Sequence, residues 1–190
     1  WSSDVCSSDL EAGFASLFQE AWHILTPLPD QGAGYDDAVA RLTAFWRGLG
    51  ARVETMDPAR HDRVLAITSH LPHLIAYNIV STAYDMESVE QGEVVKYSAG
   101  GFRDFTRIAA SDPTMWRDVF LTNKDAVLET LGRFSEDLAA LQRAIRWGDG
   151  DTLMREFTRA RGIREAIIDA GLDTAEADFG RRHLDPDSET

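Results

Sequence analysis

Asp57-Pro58-Ala59-Arg60-His61-Asp62-Arg63-Val64-Leu65, running on through Ile67 to His70-Leu71-Pro72-His73-Leu74-Ile75, decides the fold. Asp57 is a side chain that caps helices. Pro58 suits the first helical position, because its missing N–H would have no partner there. Val64, Leu65 and Ile67 carry that helix forward. Pro72 is expected to break or kink it, since a proline inside a helix removes a hydrogen bond and crowds the preceding turn. A second long helix then carries Leu74, Ile75, Tyr77, Ile79 and Val80. From Asp57 onward no stretch reads convincingly as a strand.

Downstream the helical pattern persists. Ser98 to Gly101 reads as a tight turn. Phe102 to Ala110 reads as a helix ended by Asp112-Pro113, and from Thr114 to about Arg146 the pattern is helical again. Within it Val127, Leu131, Phe134, Leu138, Leu141 and Ile145 alternate four and three residues apart. That is a heptad-type seam, fit for an intramolecular bundle or for a dimer. Gly148 to Gly150 breaks the pattern before a last helix over Thr152 to Ala170. Residues 173–190 are polar and acidic, and are expected to be disordered.

Upstream of Asp57 the pattern is mixed. Ala12 to Phe18 reads as a short helix and Trp22 to Thr26 as a strand, ended by Pro27 and Pro29. Gln31 to Gly34 is a loop. Tyr35 to Leu49 is an amphipathic helix with Val39, Leu42, Phe45, Trp46 and Leu49 apolar and Gly50 as its stop. Arg52 to Met56 reads as a second strand. Strand, helix, strand is one βαβ unit, and two strands do not make a whole sheet, so more of the sheet is expected upstream. Trp1 to Leu10 is rich in Ser and Asp, lacks periodicity and reads as a non-native leader. The expectation is a mainly α protein: residues 1–10 leader, 11–56 the remnant of an α/β domain, 57–172 a helical bundle, 173–190 an acidic tail.

Composition narrows the function classes. With 190 residues the chain can bury a real core. Its apolar share of 44% and charged share of 27% are ordinary for a globular protein. A formal net charge of −13 argues against binding nucleic acid or an anionic membrane, both of which it would repel. No apolar stretch reads as long enough to span a bilayer, and nothing resembles a signal peptide. A cytoplasmic protein is the simplest expectation. The single cysteine, Cys6, allows no internal disulfide.

The side chains able to do chemistry are concentrated. His70 and His73, three residues apart, share a helix face. They suit zinc ligation if a third ligand exists, satisfied burial in a core, or hydrogen bonding to an anion. Arg107 follows Gly100-Gly101 by one short helix. Guanidinium is the natural bidentate partner of a carboxylate, although a salt bridge with Asp104 or Asp112 would use the same group. Gly100 and Gly101 suit a plain turn, positive φ or a close backbone approach to a ligand. Trp116 is either a flat pocket wall or core. Arg103 and Arg117 sit among acids and read as solvated, and His61-Asp62 as a structural hydrogen bond. No Gly-x-Gly-x-x-Gly follows a strand, so no dinucleotide fingerprint lies in this chain.

These motifs in order resemble one family. His61-Asp62, Ser69-His70-Leu71-Pro72-His73, Gly100-Gly101-Phe102-Arg103-Asp104-Phe105-Thr106-Arg107 and Ser111-Asp112-Pro113-Thr114-Met115-Trp116-Arg117-Asp118, with Asn123 downstream, are similar to the C-terminal half of prephenate/arogenate (cyclohexadienyl) dehydrogenases. Leu17-Phe18 and Ile24-Leu25-Thr26-Pro27 resemble the close of that family's Rossmann domain. The resemblance implies a helical dimerisation bundle like the C-terminal fold of 6-phosphogluconate dehydrogenase, preceded by a truncated Rossmann remnant. It implies oxidative decarboxylation of prephenate or arogenate in tyrosine biosynthesis, with hydride passing to NAD or NADP and loss of carbon dioxide aromatising the ring. By match, His73 lines the substrate pocket with His70 beside it, Arg107 binds a substrate carboxylate, and Trp116 and the Gly100 backbone wall the pocket. No catalytic residue and no metal ligand is expected in this chain, because the family's catalytic histidine and cofactor loop lie upstream of Glu11. The chain is therefore expected to form a homodimer and to be inactive alone. A helical scaffold or dimerisation module without enzymatic function is the alternative, and convergence of Arg107 and His73 on one cleft would argue against it.

Overall fold

The computed structural model describes residues 16–87 and 100–169. The leader at 1–10 and the tail at 173–190 lie outside the described residues. Elements run in the order β1 (Trp22–Leu25), α1 (Ala33–Gly48), β2 (Arg52–Thr55), α2 (Pro58–Leu65), a π-turn (Ala66–His70), α3 (Leu71–Glu87), α4 (Gly100–Thr106), a 3-10 turn (Arg107–Ala110), α5 (Pro113–Thr122), α6 (Lys124–Trp147) and α7 (Gly150–Asp169). The chain is mainly helical, and it falls into two compact units, one through Arg133 and one from Phe134 on.

In the first unit, β1 and β2 form a two-stranded parallel sheet with Trp22 opposite Arg52 and Leu25 opposite Thr55. Parallel strands need a crossover, and α1 supplies it. Where 16–18 were expected to be helical, Ser16 to Glu20 form a turn instead, with Glu20 at φ 59. Helix α1 ends in a Schellman motif. The Gly50 N–H donates to the Arg47 carbonyl and the Ala51 N–H to the Trp46 carbonyl, with Gly50 at φ 85. A Cβ at Gly50 would also lie 3.1 Å from the Gln19 side chain, so both conformation and space require glycine there. Of the apolar positions of α1, Leu42, Phe45 and Leu49 are exposed, while Val39 and Trp46 are half-buried. The aromatic part of α1 packs locally instead: Trp46 stacks on His23 of β1 at 4.1 Å, and Phe18 meets both edge-on.

Asp57 caps α2 as its type predicts, accepting from the Arg60 N–H at 3.0 Å. Pro72 does not break the helix. The backbone instead widens into the π-turn at 66–70, where the Leu71 N–H reaches back five residues to the Ala66 carbonyl. A wide turn there makes room for a ring that cannot donate, and such bulges collect at functional sites. The result is one continuous run, Pro58–Met86, long and apolar enough by length and composition alone to cross a membrane. That departs from the sequence reading, in which Pro72 divides the run. Its most buried residues are Ala66, His70, Leu71 and Ala76.

Gly100 and Gly101 do not form the expected turn. They open α4 with helical backbone, and a Cβ on either would meet nothing. Their lack of a side chain is therefore not needed for local geometry; Ser98 and Ala99 lie outside the described residues. Asp112 caps α5, accepting from the Thr114 and Met115 N–H groups at 2.6 and 3.1 Å. The helical stretch expected over 114–146 is divided into two helices where Asn123 leaves helical geometry at φ −100, ψ 32.

In the second unit the rest of α6 leads to a second Schellman stop. The Gly148 N–H donates to the Ile145 carbonyl and the Asp149 N–H to the Ala144 carbonyl, with Gly148 at φ 66. Asp149 then caps α7 through the Thr152 N–H and hydroxyl, and those two bonds hold its carboxyl below the usual range.

Candidate functional site

The π-turn and α5 bring the chemistry together. His70 closes the π-turn, His73 lies one turn into α3, and Trp116 lies on the first turns of α5. The His73 ring stacks on the Trp116 indole, centroids 3.7 Å apart and planes 22° off parallel. His70 meets Trp116 edge-on at 6.1 Å and Phe120 at 6.5 Å. Trp116, at 7% exposure, is the largest buried apolar side chain among the described residues, and His70 is the one buried polar side chain, at 8%. An aromatic stack of this kind adds attraction beyond area burial and fixes ring orientation.

Hydrogen bonds fix the imidazoles. His73 Nδ1 lies 2.8 Å from the Ser69 carbonyl oxygen, which can only accept, so Nδ1 donates. His70 Nδ1 lies 3.2 Å from Asn123 Nδ2, and the same amide nitrogen donates to the Asp62 carbonyl at 2.8 Å. Burial pushes both imidazoles below the ordinary histidine value of 6.5. For His70, Asp62 opposes the shift while His61 and His73 add to it; for His73 the Ser69 bond opposes it. Both rings are neutral at pH 7. The Trp116 Nε1–H is buried and has no acceptor.

These shifts predict the pH dependence of stability. Each ring binds a proton less readily folded than unfolded. Its stabilising contribution is therefore complete above 6.5 and is lost as the pH falls from 6.5 through the lower folded values. Urea midpoints measured between pH 8 and 5 should fall on the acid side of 6.5, and His70→Gln should flatten that fall. A midpoint that rises on acidification in this window would contradict the assignment.

The other residues picked out in the sequence lie on neighbouring elements. Arg107 opens the 3-10 turn, which packs against α3, and it is solvent-exposed. The Tyr77 hydroxyl donates to the Ser111 carbonyl at 2.6 Å, tying α3 one turn beyond His73 to the end of the Arg107 segment. Burial and the charge on Asp112 push the Tyr77 hydroxyl above 10. Gly100 stands exposed at the start of α4, which packs on α3 and on the 3-10 turn. His61 Nδ1 pairs with the Asp62 carboxylate at 3.0 Å. Among the described residues no group of three or more His, Cys, Asp or Glu could hold a metal ion. The structure thus brings His70, His73 and Trp116 into direct contact and sets Arg107 and Gly100 on elements packed beside them.

Three members of the site carried no functional role in the sequence reading: Phe120, Asn123 and Tyr77. The signal for the first two was present. Trp116, Phe120 and Asn123 are spaced four and three apart, which places them on one helical face.

With the geometry described, comparison with known proteins is informative. Residues 57–159 match the family model for the prephenate dehydrogenase dimerization domain. The cyclohexadienyl dehydrogenase of Zymomonas mobilis is 42% identical over 157 residues, which cover 83% of this chain and 53% of that protein. The prephenate dehydrogenase of Bacillus subtilis is 35% identical, over 84% of this chain and 42% of its own length. A crystal structure of the Aquifex aeolicus prephenate dehydrogenase in complex with hydroxyphenyl propionate and NAD+ superposes with a TM-score of 0.76 at 35% identity. That match covers 87% of this chain and 57% of the other. The chain spans about half the length of the relatives it matches. Its helical sequence and fold place it plainly: the chain belongs to the prephenate dehydrogenase family and contains that family's dimerization domain.

Proposed function

We propose that this chain supplies the helical substrate-pocket wall and the dimer interface of an NAD(P)-dependent dehydrogenase acting on prephenate or arogenate, in the cytoplasm. The observation that carries the reading is the His73–Trp116 stack, set beside His70 and next to the helical turn that bears Arg107. In this reading Trp116 is the flat wall for a six-membered ring. Arg107 supplies the fixed positive charge for a carboxylate, which two neutral imidazoles do not. His70, His73 and the Gly100 backbone complete the wall.

The residues present do not by themselves fit a dinucleotide. The loop after β1 runs Thr26-Pro27-Leu28-Pro29-Asp30-Gln31-Gly32, which lacks the glycine spacing that lets a backbone approach a pyrophosphate. The chain alone should therefore turn over neither substrate.

A homodimer is part of the same proposal. Leu138, Ile145 and Trp147 on α6 are exposed by 53%, 66% and 75%, and Met154, Phe157 and Ile163 on α7 are exposed as well. Exposed apolar side chains in this number on neighbouring segments support an interaction surface there.

Hydroxyphenyl propionate, which the Aquifex enzyme binds, serves as the probe. Calorimetric titration into the 190-residue chain should show binding, and Arg107→Ala should weaken it roughly tenfold or more through loss of a charge-assisted hydrogen bond. Binding that Arg107→Ala leaves unchanged would refute the assigned carboxylate site.

A further inference from the structure

We propose that Asn123 is a positioning residue that holds His70 in the neutral Nε2–H tautomer, opposite to that of His73. The proposal deepens the substrate-wall reading and rests on it for its functional meaning, but its geometry stands independently.

The argument is one of hydrogen-bond inventory. An amide nitrogen has two hydrogens and no lone pair to offer, and a backbone carbonyl can only accept. The Asp62 carbonyl, which also accepts from the Ala66 N–H, therefore fixes which end of the Asn123 amide faces it. The second hydrogen of that nitrogen meets His70 Nδ1 at 3.2 Å. Nδ1 must then carry the lone pair, and a neutral ring has its proton on Nε2. His73 is held the other way: its Nδ1 donates to the Ser69 carbonyl, so its neutral ring keeps the lone pair on Nε2. Two imidazoles three residues apart are thus locked in opposite tautomers by two different clamps.

What remains for a ligand follows directly. Trp116 Nε1 is the one buried side-chain N or O atom left without a partner among the described residues, and neither His70 Nε2 nor His73 Nε2 is counted with it. The wall offers one fixed donor from His70 and one fixed acceptor from His73. A substrate carrying both a carboxylate and a hydroxyl can use both, and a tautomer swap at His70 would replace the donor with a second acceptor. Such a partner orients a histidine much as an outer-shell group orients a metal-bound one. Asn123 is free to do this because it lies between α5 and α6 and not inside either helix.

Long-range ¹H–¹⁵N correlation of the histidine-labelled 190-residue chain at pH 8 reads the tautomers, with His70→Gln identifying the His70 signals. His70 should show a pyridine-type Nδ1 and a pyrrole-type Nε2, and His73 the reverse. In Asn123→Leu the His70 signals should move toward a tautomer mixture while those of His73 stay in place. A change in both rings would instead mark general unfolding of the site and overturn a specific role for Asn123. An Nδ1–H or mixed His70 in the unsubstituted chain would overturn the proposal without any variant. Failure of the propionate probe to bind, with His70 locked as stated, would count against the substrate reading and leave this inference standing.

Discussion

Trp116→Ala should cost about 3–5 kcal/mol of stability, the usual range for emptying a buried tryptophan site. The reason lies in what surrounds it. Trp116 is the largest buried apolar side chain among the described residues, and the other buried apolar residues of its unit are Ala51, Ala66, Leu71, Ala76 and Val127. None of these has the volume of an indole, so none fills the void by itself. The stack with His73, the edge contact with His70 and the tilted contact with Phe120 would also be lost. Chemical denaturation followed by circular dichroism checks this, because helix loss is read without relying on indole fluorescence. Trp116→Phe should recover much of the stability, keeping the ring while removing the buried unpartnered N–H. An alanine variant less than about 1 kcal/mol weaker would show that the site collapses freely and that Trp116 is not its keystone.

Leu138→Glu with Ile145→Glu should dissociate the proposed dimer, weakening it by roughly a thousandfold or more. Each substitution removes an apolar side chain worth about 1.5–3 kcal/mol on burial and puts a carboxylate in its place. Both residues are already exposed within the chain, so the fold itself should change little. Sedimentation velocity should show twice the chain mass for the unsubstituted protein and the single mass for the double variant, with unchanged helix content. A single-mass species in the unsubstituted protein at tens of micromolar would refute the dimer.

Local signals in the sequence were read faithfully by the fold. Asp57-Pro58 and Asp112-Pro113 both start helices, and Gly50 and Gly148 both end them, because caps and left-handed stops depend on a few adjacent residues. The heptad spacing on α6 was also legible: Val127 is buried and Leu131, Phe134 and Leu141 are half-buried, while Leu138 and Ile145 are exposed and are the two that the proposed dimer would cover. Three features were not legible, for a shared reason. The π-turn depends on how the backbone accommodates Pro72, whereas propensity only says that proline disfavours a helix. Periodicity reads α1 as amphipathic with Phe45 on its apolar face, but it does not report whether a partner covers that face. The Asn123–His70 bond joins residues 53 positions apart, and Asn123 sits in a stretch whose pattern otherwise reads as unbroken helix. Composition and spacing located the imidazoles and the indole; only three-dimensional structure supplied the group that orients one of them.

The π-turn also sets an angular phase. An α-helix advances about 100° per residue, so one surplus residue in a turn rotates everything after it by that amount. Asp57 fixes the bearing of His61 and Asp62, and the wide turn at 66–70 resets the bearing for His73 and Tyr77. Ile67, exposed in the middle of that turn, matters less for what it touches than for being counted. A chain one residue shorter there could close an ordinary helix, and would then aim His73 away from Trp116 and Tyr77 away from Ser111 while keeping every side chain in the sequence that makes the site.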